Sequence, residues 1–265
     1  MSNPSFSVIM CSVKPWKFAT CAQHYENLLA GRPHEIIGIH DAKSLAEGYN
    51  RGLARAVGDI IIFSHDDVLI LDAHFADKIA ARLVDHDILG YAGTSRLIDV
   101  GWIAIGQPFI HGVVAHAIDQ CLHLNVYGVD AWPVAAGIQA IDGLLMIARR
   151  ETALAVGFDA ETFDGFHFYD LDFSFAAFLA GRKIGVCCDM PLIHASGGNY
   201  HTADWQRYSQ RFAKKYAGRL VTEVGASAFP GRISGEYSDY QALTTVWNRD
   251  NLRRATIALR RDVGK

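Results

Sequence analysis

Cysteine is scarce and unpatterned in this chain. Cys11, Cys21, Cys121, Cys187 and Cys188 are odd in number and form no CxxC pair, which argues against a disulfide framework or a zinc knuckle and favours a reducing setting. Neither sign of charge dominates: 25 basic and 28 acidic residues, a net charge of -3 spread along the chain, leave no electrostatic footprint for nucleic acid. No window reaches the roughly 18 apolar residues of a membrane span. The amino-terminal stretch MSNPSFSVIMCSVKPW has no basic segment followed by a long apolar run, so the expectation is a soluble cytoplasmic protein. Internal repeats and low-complexity tracts are missing too.

What the chain does contain is apolar residues in quantity. With 265 residues, 50% of them hydrophobic, it can build one large domain or two small ones around a sizeable core. FSVIM and EIIGIH are short β-branched runs separated by a helical stretch, KFATCAQHYENLLAG, that closes at Gly31 and Pro33. Leu45, Tyr49, Leu53 and Val57 then recur every four residues, as a helix with one buried stripe requires, and the strand DIIIF follows. Strands alternating with helices at this spacing predict an α/β fold, a mostly parallel central sheet flanked by helices. DAHFADKIAARLVDH reads as a further helix and ILGYAGTSRLI as a further strand. From Gly101 to Pro133 the pattern is broken by Gly106, Pro108, Gly112 and Gly128, which predicts an irregular insertion or lid. AIDGLLMIARRETALAVGFD predicts a strand running into a short helix. FYDLDFSFAAFLAG predicts a helix, followed by a strand at Lys183 to Cys188. Trp205, Tyr208, Phe212 and Tyr216 at helical spacing, a Gly- and Ser-containing connection and a final helix make a C-terminal helical extension over 201–265, packed on the same domain.

Carboxylates gather where these strands end. In DIIIFSHDDVLI, His65, Asp66 and Asp67 follow an apolar strand, at the carboxyl edge where open α/β sheets put their ligands. Hard cations such as Mg²⁺ or Mn²⁺ take carboxylate oxygens and keep open positions for phosphates, although Asp is also common in turns and helix caps. Asp41 and Ser44 follow the strand EIIGIH; they fit either a base or ribose contact or the cap of the next helix. Asp170 and Asp172 lie among large aromatics, which suits a general base of raised pKa and equally a helix amino terminus. His194 ends the run PLIH beside a small-residue loop, as a third metal ligand, a diphosphate contact or a structural histidine. His111 and His116 are not spaced for one helix face and receive no role.

In chain order these residues resemble a known pattern. The block YNRG … A.G … IIF…DD and the block DG..M..RRE.....GFD … YDLDF are similar to those of the family 2 glycosyltransferases of the GT-A fold, over about residues 6 to 200. The resemblance implies a nucleotide-binding half at 1–100 and an acceptor half at 101–200. It implies Asp41 at the nucleotide's base, Arg51 on the nucleotide, Asp66 near the ribose and Asp67 on the metal; His194, read from its place at a strand end, is the candidate further ligand. Asp170 matches the family's catalytic base, with Asp172 as the alternative. Two positions depart from the pattern: His65 replaces the usual first acid of the metal motif, and Tyr169 replaces the glutamate before the base. The expected activity is Mn²⁺- or Mg²⁺-dependent transfer, with inversion, from a nucleotide-diphosphate sugar, taken as a UDP-sugar, to an acceptor hydroxyl that is a sugar, lipid-linked or other, in polysaccharide or glycoconjugate assembly. A nucleotide-sugar-binding protein without catalysis, and a phosphohydrolase or nucleotidyltransferase on the same carboxylates, are the competing expectations. Further expectations are a peripheral contact with the inner face of the membrane through the basic stretch NLRRATIALRRDVGK, and self-association through the aromatic C-terminal helix.

Overall fold

FSVIMC and HEIIGI become parallel neighbours. β1 (Phe6–Cys11) carries β2 (His34–Ile39) on one side and β3 (Ile60–Ser64) on the other. The crossovers are α1 (Pro15–Leu28) and α2 (Leu45–Arg55). Pro15 sits in the first turn of α1, where its missing N–H costs nothing. Ser44 caps α2, its hydroxyl oxygen accepting the Glu47 N–H at 3.0 Å. Tyr49 and Leu53 are buried as the stripe requires, but Val57 lies past the helix and is 76% exposed. The backbone is already extended at Ala56, where the chain turns toward β3, so the expected fourth stripe position is not helical.

The computed structural model describes residues 3–98, 101–118, 121–196, 202–221, 231–237 and 240–263. After β3 come β4 (Val68–Ile70), α3 (Phe75–Arg82), β5 (Ile88–Gly90) and β6 (Ala92–Thr94). A long pair follows, β7 (Ile110–Ile118) and β8 (Cys121–Gly128), then the short β9 (Val134–Ala135) and β10 (Ala140–Ile141). β11 (Leu145–Arg149) runs into α4 (Arg150–Val156), and α5 (Tyr169–Leu179) leads to β12 (Ile184–Cys187) and β13 (Leu192–His194). α6 (Ala203–Lys215), β14 (Gly231–Tyr237), α7 (Tyr240–Val246) and α8 (Arg249–Val263) complete the chain.

The central sheet has the order β2-β1-β3-β11-β5-β12-β9. In it β2, β1, β3, β5 and β12 run one way and β11 and β9 the other, so the mostly parallel sheet expected from the βαβ pattern is present. A second sheet, β10-β6-β7-β13-β4 with β8 and β14 added beside β7, holds the remaining strands. The run ILGYAGTSRLI is thus two strands rather than one: β5 serves the central sheet and β6 the second, with buried Tyr91 between them.

Within the expected irregular insertion or lid over 101–133, residues 110–118 and 121–128 are corrected to a β-hairpin, while 101–109 and 129–133 are turns and bends as expected. β7 and β8 pair antiparallel along their length, and Leu122, Leu124 and Val126 alternate inward as period-2 burial demands. The glycines that hid this pattern are there for close approach. A Cβ on Gly112, at φ +115°, would run into the Tyr91 carbonyl, and one on Gly128 into that of Ile110. The expected C-terminal helical extension is present as α6, α7 and α8, with one strand added to it, β14, which pairs with β8; the connection at 222–230 lies outside the described residues. Phe212 and Tyr216 from the α6 region join the core. α8 turns Leu252 and Thr256 inward, Thr256 accepting the Val129 N–H at 3.0 Å, so that part of its apolar face is buried against the protein. Among the described residues no helix is long and apolar enough to cross a membrane.

Candidate metal and base site

The carboxyl end of β3 is held by two buried tyrosines. Tyr25 donates to the Ser64 hydroxyl at 2.9 Å and Tyr49 to the Ser64 carbonyl at 3.3 Å. The chain then turns through His65, Asp66 and Asp67 into β4, which pairs antiparallel with β13 so that Val68 faces His194. The Ala195 N–H donates to the Asp67 carbonyl at 2.9 Å. This pairing, 129 residues apart in sequence for His65 and His194, brings Asp67 and His194 to one spot.

At that spot His65 Nδ1 is 3.3 Å from His194 Nε2, which is 3.2 Å from Asp67 Oδ1. One atom from each of the three residues lies within 4.8 Å of the others, a spacing a single cation can bridge. Burial, and then the neighbouring His194, lower the pKa of His65 to about 4, so its imidazole is neutral at neutral pH. For Asp67 burial acts to raise the pKa, but the hydrogen bond from His194, with the Lys17 ammonium nearby, outweighs it and holds the carboxyl well below its ordinary range. A neutral His65 and an ionised Asp67 are the forms in which these groups ligate, so those two need lose no proton to bind. Two imidazoles and one carboxylate fit a first-row transition ion such as Mn²⁺ better than Mg²⁺, which prefers oxygen ligands.

Lys17, from α1, lies 3.3 Å from Asp67 Oδ2 and 3.7 Å from Asp66 Oδ1. Asp66 accepts the Ser12 hydroxyl at 2.6 Å, which turns it toward the end of β1. No local pattern singled out Lys17 or Ser12.

A cavity of about 780 Å³ opens beside the cluster, lined by His65, Asp142, Tyr169, Asp170, His194 and residues of α6 among others. Asp170 enters it from the first turn of α5. The residue before that helix, Phe168, is buried with φ +64°, a left-handed conformation unusual for a side chain of that size and a form of strain found at sites. Asp170 Oδ2 accepts the Gly143 N–H at 2.8 Å. Glycine is required at 143, where a Cβ would strike the Tyr169 hydroxyl and the Asp170 side chain. Burial first, and the Asp142 carboxylate second, push Asp170 up to about 7, a value suited to taking a proton near neutral pH. Asp142 is itself held by the Trp102 indole N–H at 3.1 Å and the Leu144 N–H at 3.0 Å. Sequence reading gave Asp142 no role, although it opens the DGLLM stretch and is the one acid there.

The remaining candidates lie elsewhere. Asp172 points away from the cavity into a buried ion pair, 2.6 Å from Lys215 Nζ and 2.7 Å from the Tyr216 hydroxyl; burial raises its pKa and these two partners reduce the rise. Asp41 and Arg51 meet each other at 2.8 Å on the exposed rim of β2 and α2, where the Arg51 hydrogen bond lowers the Asp41 pKa. The Ser44 hydroxyl is buried in its cap. His116, given no role, lies beside the cluster: it is paired in register with His194, the two rings 5.6 Å apart, and its Nδ1 is 2.9 Å from the Ser196 carbonyl.

Comparison with known proteins gives four findings. The model of the Glycosyltransferase like family matches residues 7–216. A curated protein of Fuscovulum blasticum, named "ATP synthase subunits region ORF 6", is 30% identical over 191 residues, 68% of this chain and 65% of its own. The chain therefore spans just under two thirds of that relative's length. Among solved structures, the mannosyltransferase PcManGT from Pyrobaculum calidifontis, in complex with GDP-Man and Mn²⁺, superposes with a TM-score of 0.52 at 11% identity, over 98% of this chain and 74% of that one, which shows a shared fold. S. aureus TarS 1-349 in complex with UDP overlaps more loosely, with a TM-score of 0.46 at 14% identity, over 81% of this chain and 66% of that one.

Proposed function

Because this chain belongs to the glycosyltransferase-like family and has the GT-A fold, we propose that it moves a sugar from a nucleotide-diphosphate donor to an acceptor hydroxyl with a transition cation held by His65, Asp67 and His194. The observation that carries this reading is the His65, Asp67 and His194 cluster at the edge of a cavity whose wall holds Asp170. When bound, the cation neutralises the charge that develops on the diphosphate as it leaves. Asp170 accepts the proton of the acceptor hydroxyl; the acceptor oxygen bonds to the anomeric carbon while the bond from that carbon to the diphosphate oxygen breaks, one displacement that inverts the centre. General-base assistance of this kind is worth roughly 10²- to 10⁴-fold.

Residues 1–100 form the nucleotide half in this reading and 101–200 the acceptor half. Asp66 takes the ribose, and the exposed Asp41 and Arg51 pair reopens to meet the base and phosphates. Lys17, 3.3 Å from Asp67, is close enough to turn to the diphosphate. A UDP-sugar donor and a product in polysaccharide or glycoconjugate assembly follow from the family resemblance. The binding-only alternative rests on the departures at His65 and Tyr169; the approach of His65 to Asp67 and His194 favours the metal-dependent reading over it.

The test is release of nucleoside diphosphate from a panel of UDP-, GDP- and other nucleotide sugars with Mn²⁺, for the parent protein, Asp67→Asn and Asp170→Asn. Metal-dependent release lost in both variants supports the proposal. Nucleoside monophosphate or pyrophosphate as product would sink it, as would binding without turnover across the panel.

A further inference from the structure

His65 and Tyr169, the two departures from the family pattern, touch each other. His65 Nε2 lies 2.8 Å from the Tyr169 hydroxyl, and both residues border the cavity. The Tyr169 oxygen is also 3.4 Å from the Gly143 carbonyl, a long contact to a group that can only accept. Tyr169 has one proton to donate, so only one arrangement satisfies both neighbours. His65 must carry its proton on Nε2 and donate to the tyrosine oxygen, while the tyrosine donates to Gly143.

That tautomer has a consequence on the other side of the ring. Nδ1 is the His65 atom that faces His194 and Asp67, and a cation there requires it bare. The reverse tautomer would put a proton on Nδ1, among the ligating atoms, and would take the Tyr169 proton away from Gly143. The same peptide is gripped from its other end, since the Gly143 N–H donates to Asp170 Oδ2 at 2.8 Å. His65, Tyr169, Gly143 and Asp170 thus form one chain of hydrogen bonds from the cation cluster to the cavity carboxylate. Partners that orient a ligating histidine in this way are commonly worth 10- to 100-fold in metal affinity.

We infer that Tyr169 is a positioning residue, accepting the His65 Nε2–H to leave Nδ1 free for the cation and holding the Gly143 peptide that donates to Asp170. The inference rests on the metal-dependent reading above, and its test has an arm that needs no metal. Long-range proton–nitrogen correlation spectra of the metal-free protein with labelled histidine report the His65 tautomer directly. The expected result is the Nε2–H form in the parent and a mixture in Tyr169→Phe. Mn²⁺ titration followed by electron paramagnetic resonance, without nucleotide, should then show binding about 10- to 100-fold weaker in Tyr169→Phe.

An Nδ1–H form of His65 in the parent would overturn the inference with no variant required. So would Tyr169→Phe that keeps both the tautomer and the Mn²⁺ affinity of a parent that binds the ion. A parent that binds no Mn²⁺ at all contradicts the metal-dependent reading instead, and in that case the tautomer arm alone supports or overturns the place of Tyr169.

Discussion

Replacing Asp170 by Asn should make the folded protein more stable at pH 8 while abolishing transfer. Burial and Asp142 raise the Asp170 pKa from 3.8 to about 7, so between those limits the folded state keeps a proton that the unfolded chain has already released. The stability this contributes is fully present below pH 3.8, falls as pH rises, and is gone once pH passes about 7. A gap of about three pH units at 1.36 kcal/mol each sets a ceiling of about 4 kcal/mol. Asp170 keeps some exposure to the cavity, where water screens its charge, so about 2 kcal/mol is the expected size. Asn is neutral throughout and its carbonyl can still accept the Gly143 N–H. Urea unfolding of both proteins in EDTA at pH 5 and pH 8 measures the difference; the variant should match the parent near pH 5 to within about 1 kcal/mol and exceed it at pH 8. Activity should run the other way, with parent kcat/KM climbing through about pH 7 and the variant losing 10²-fold or more. A variant less stable than the parent at pH 8, or a parent rate flat from pH 5.5 to 8, would refute the assignment of Asp170 as a buried base.

Asp142→Asn should lower the Asp170 pKa by removing its second cause, moving the acidic limb of the pH profile to lower pH; an unmoved limb would show that Asp142 does not act on Asp170. His194→Ala should weaken Mn²⁺ binding at least 10-fold in a calorimetric titration, and Mn²⁺ should support turnover better than Mg²⁺; equal rates with the two ions would contradict a site built on two imidazoles. Asp172→Asn should change stability in thermal unfolding by no more than about 1 kcal/mol, because burial already disfavours the Asp172 charge and Lys215 keeps Asp159 at 2.7 Å, and should change kcat little. A large loss of kcat with stability intact would return Asp172 to the chemistry. Ser44→Ala should cost about 1 kcal/mol of stability, the worth of a helix cap, with the donor KM read alongside to test for a nucleotide contact.

The central sheet was legible because its strands are short apolar runs and its helices have a four-residue stripe, both local patterns. Asp66 and Asp67 were legible as candidates for a related reason: a strand that ends in adjacent acids is visible in twelve residues. What local pattern cannot encode is who meets whom across the fold. His65 and Tyr169 are 104 residues apart, and each looked like a lost family acid until the two side chains were seen together. Asp170 and Asp172 were indistinguishable in sequence, yet two residues along a helix is half a turn, enough to aim one at the cavity and the other at Lys215. The β7 and β8 hairpin was hidden by glycines that read as breakers and serve instead as points of close backbone approach.

Crystals grown with Mn²⁺ and a nucleoside diphosphate, with diffraction data collected on either side of the manganese absorption edge, locate the ion without reference to any assay. The expected anomalous peak lies within bonding distance of His65 Nδ1, Asp67 and His194 Nε2, with the diphosphate completing its coordination. A peak bound by Asp66 and Asp67 with neither histidine attached, or no peak at the end of β3, would contradict the cation site on which the proposed transfer depends.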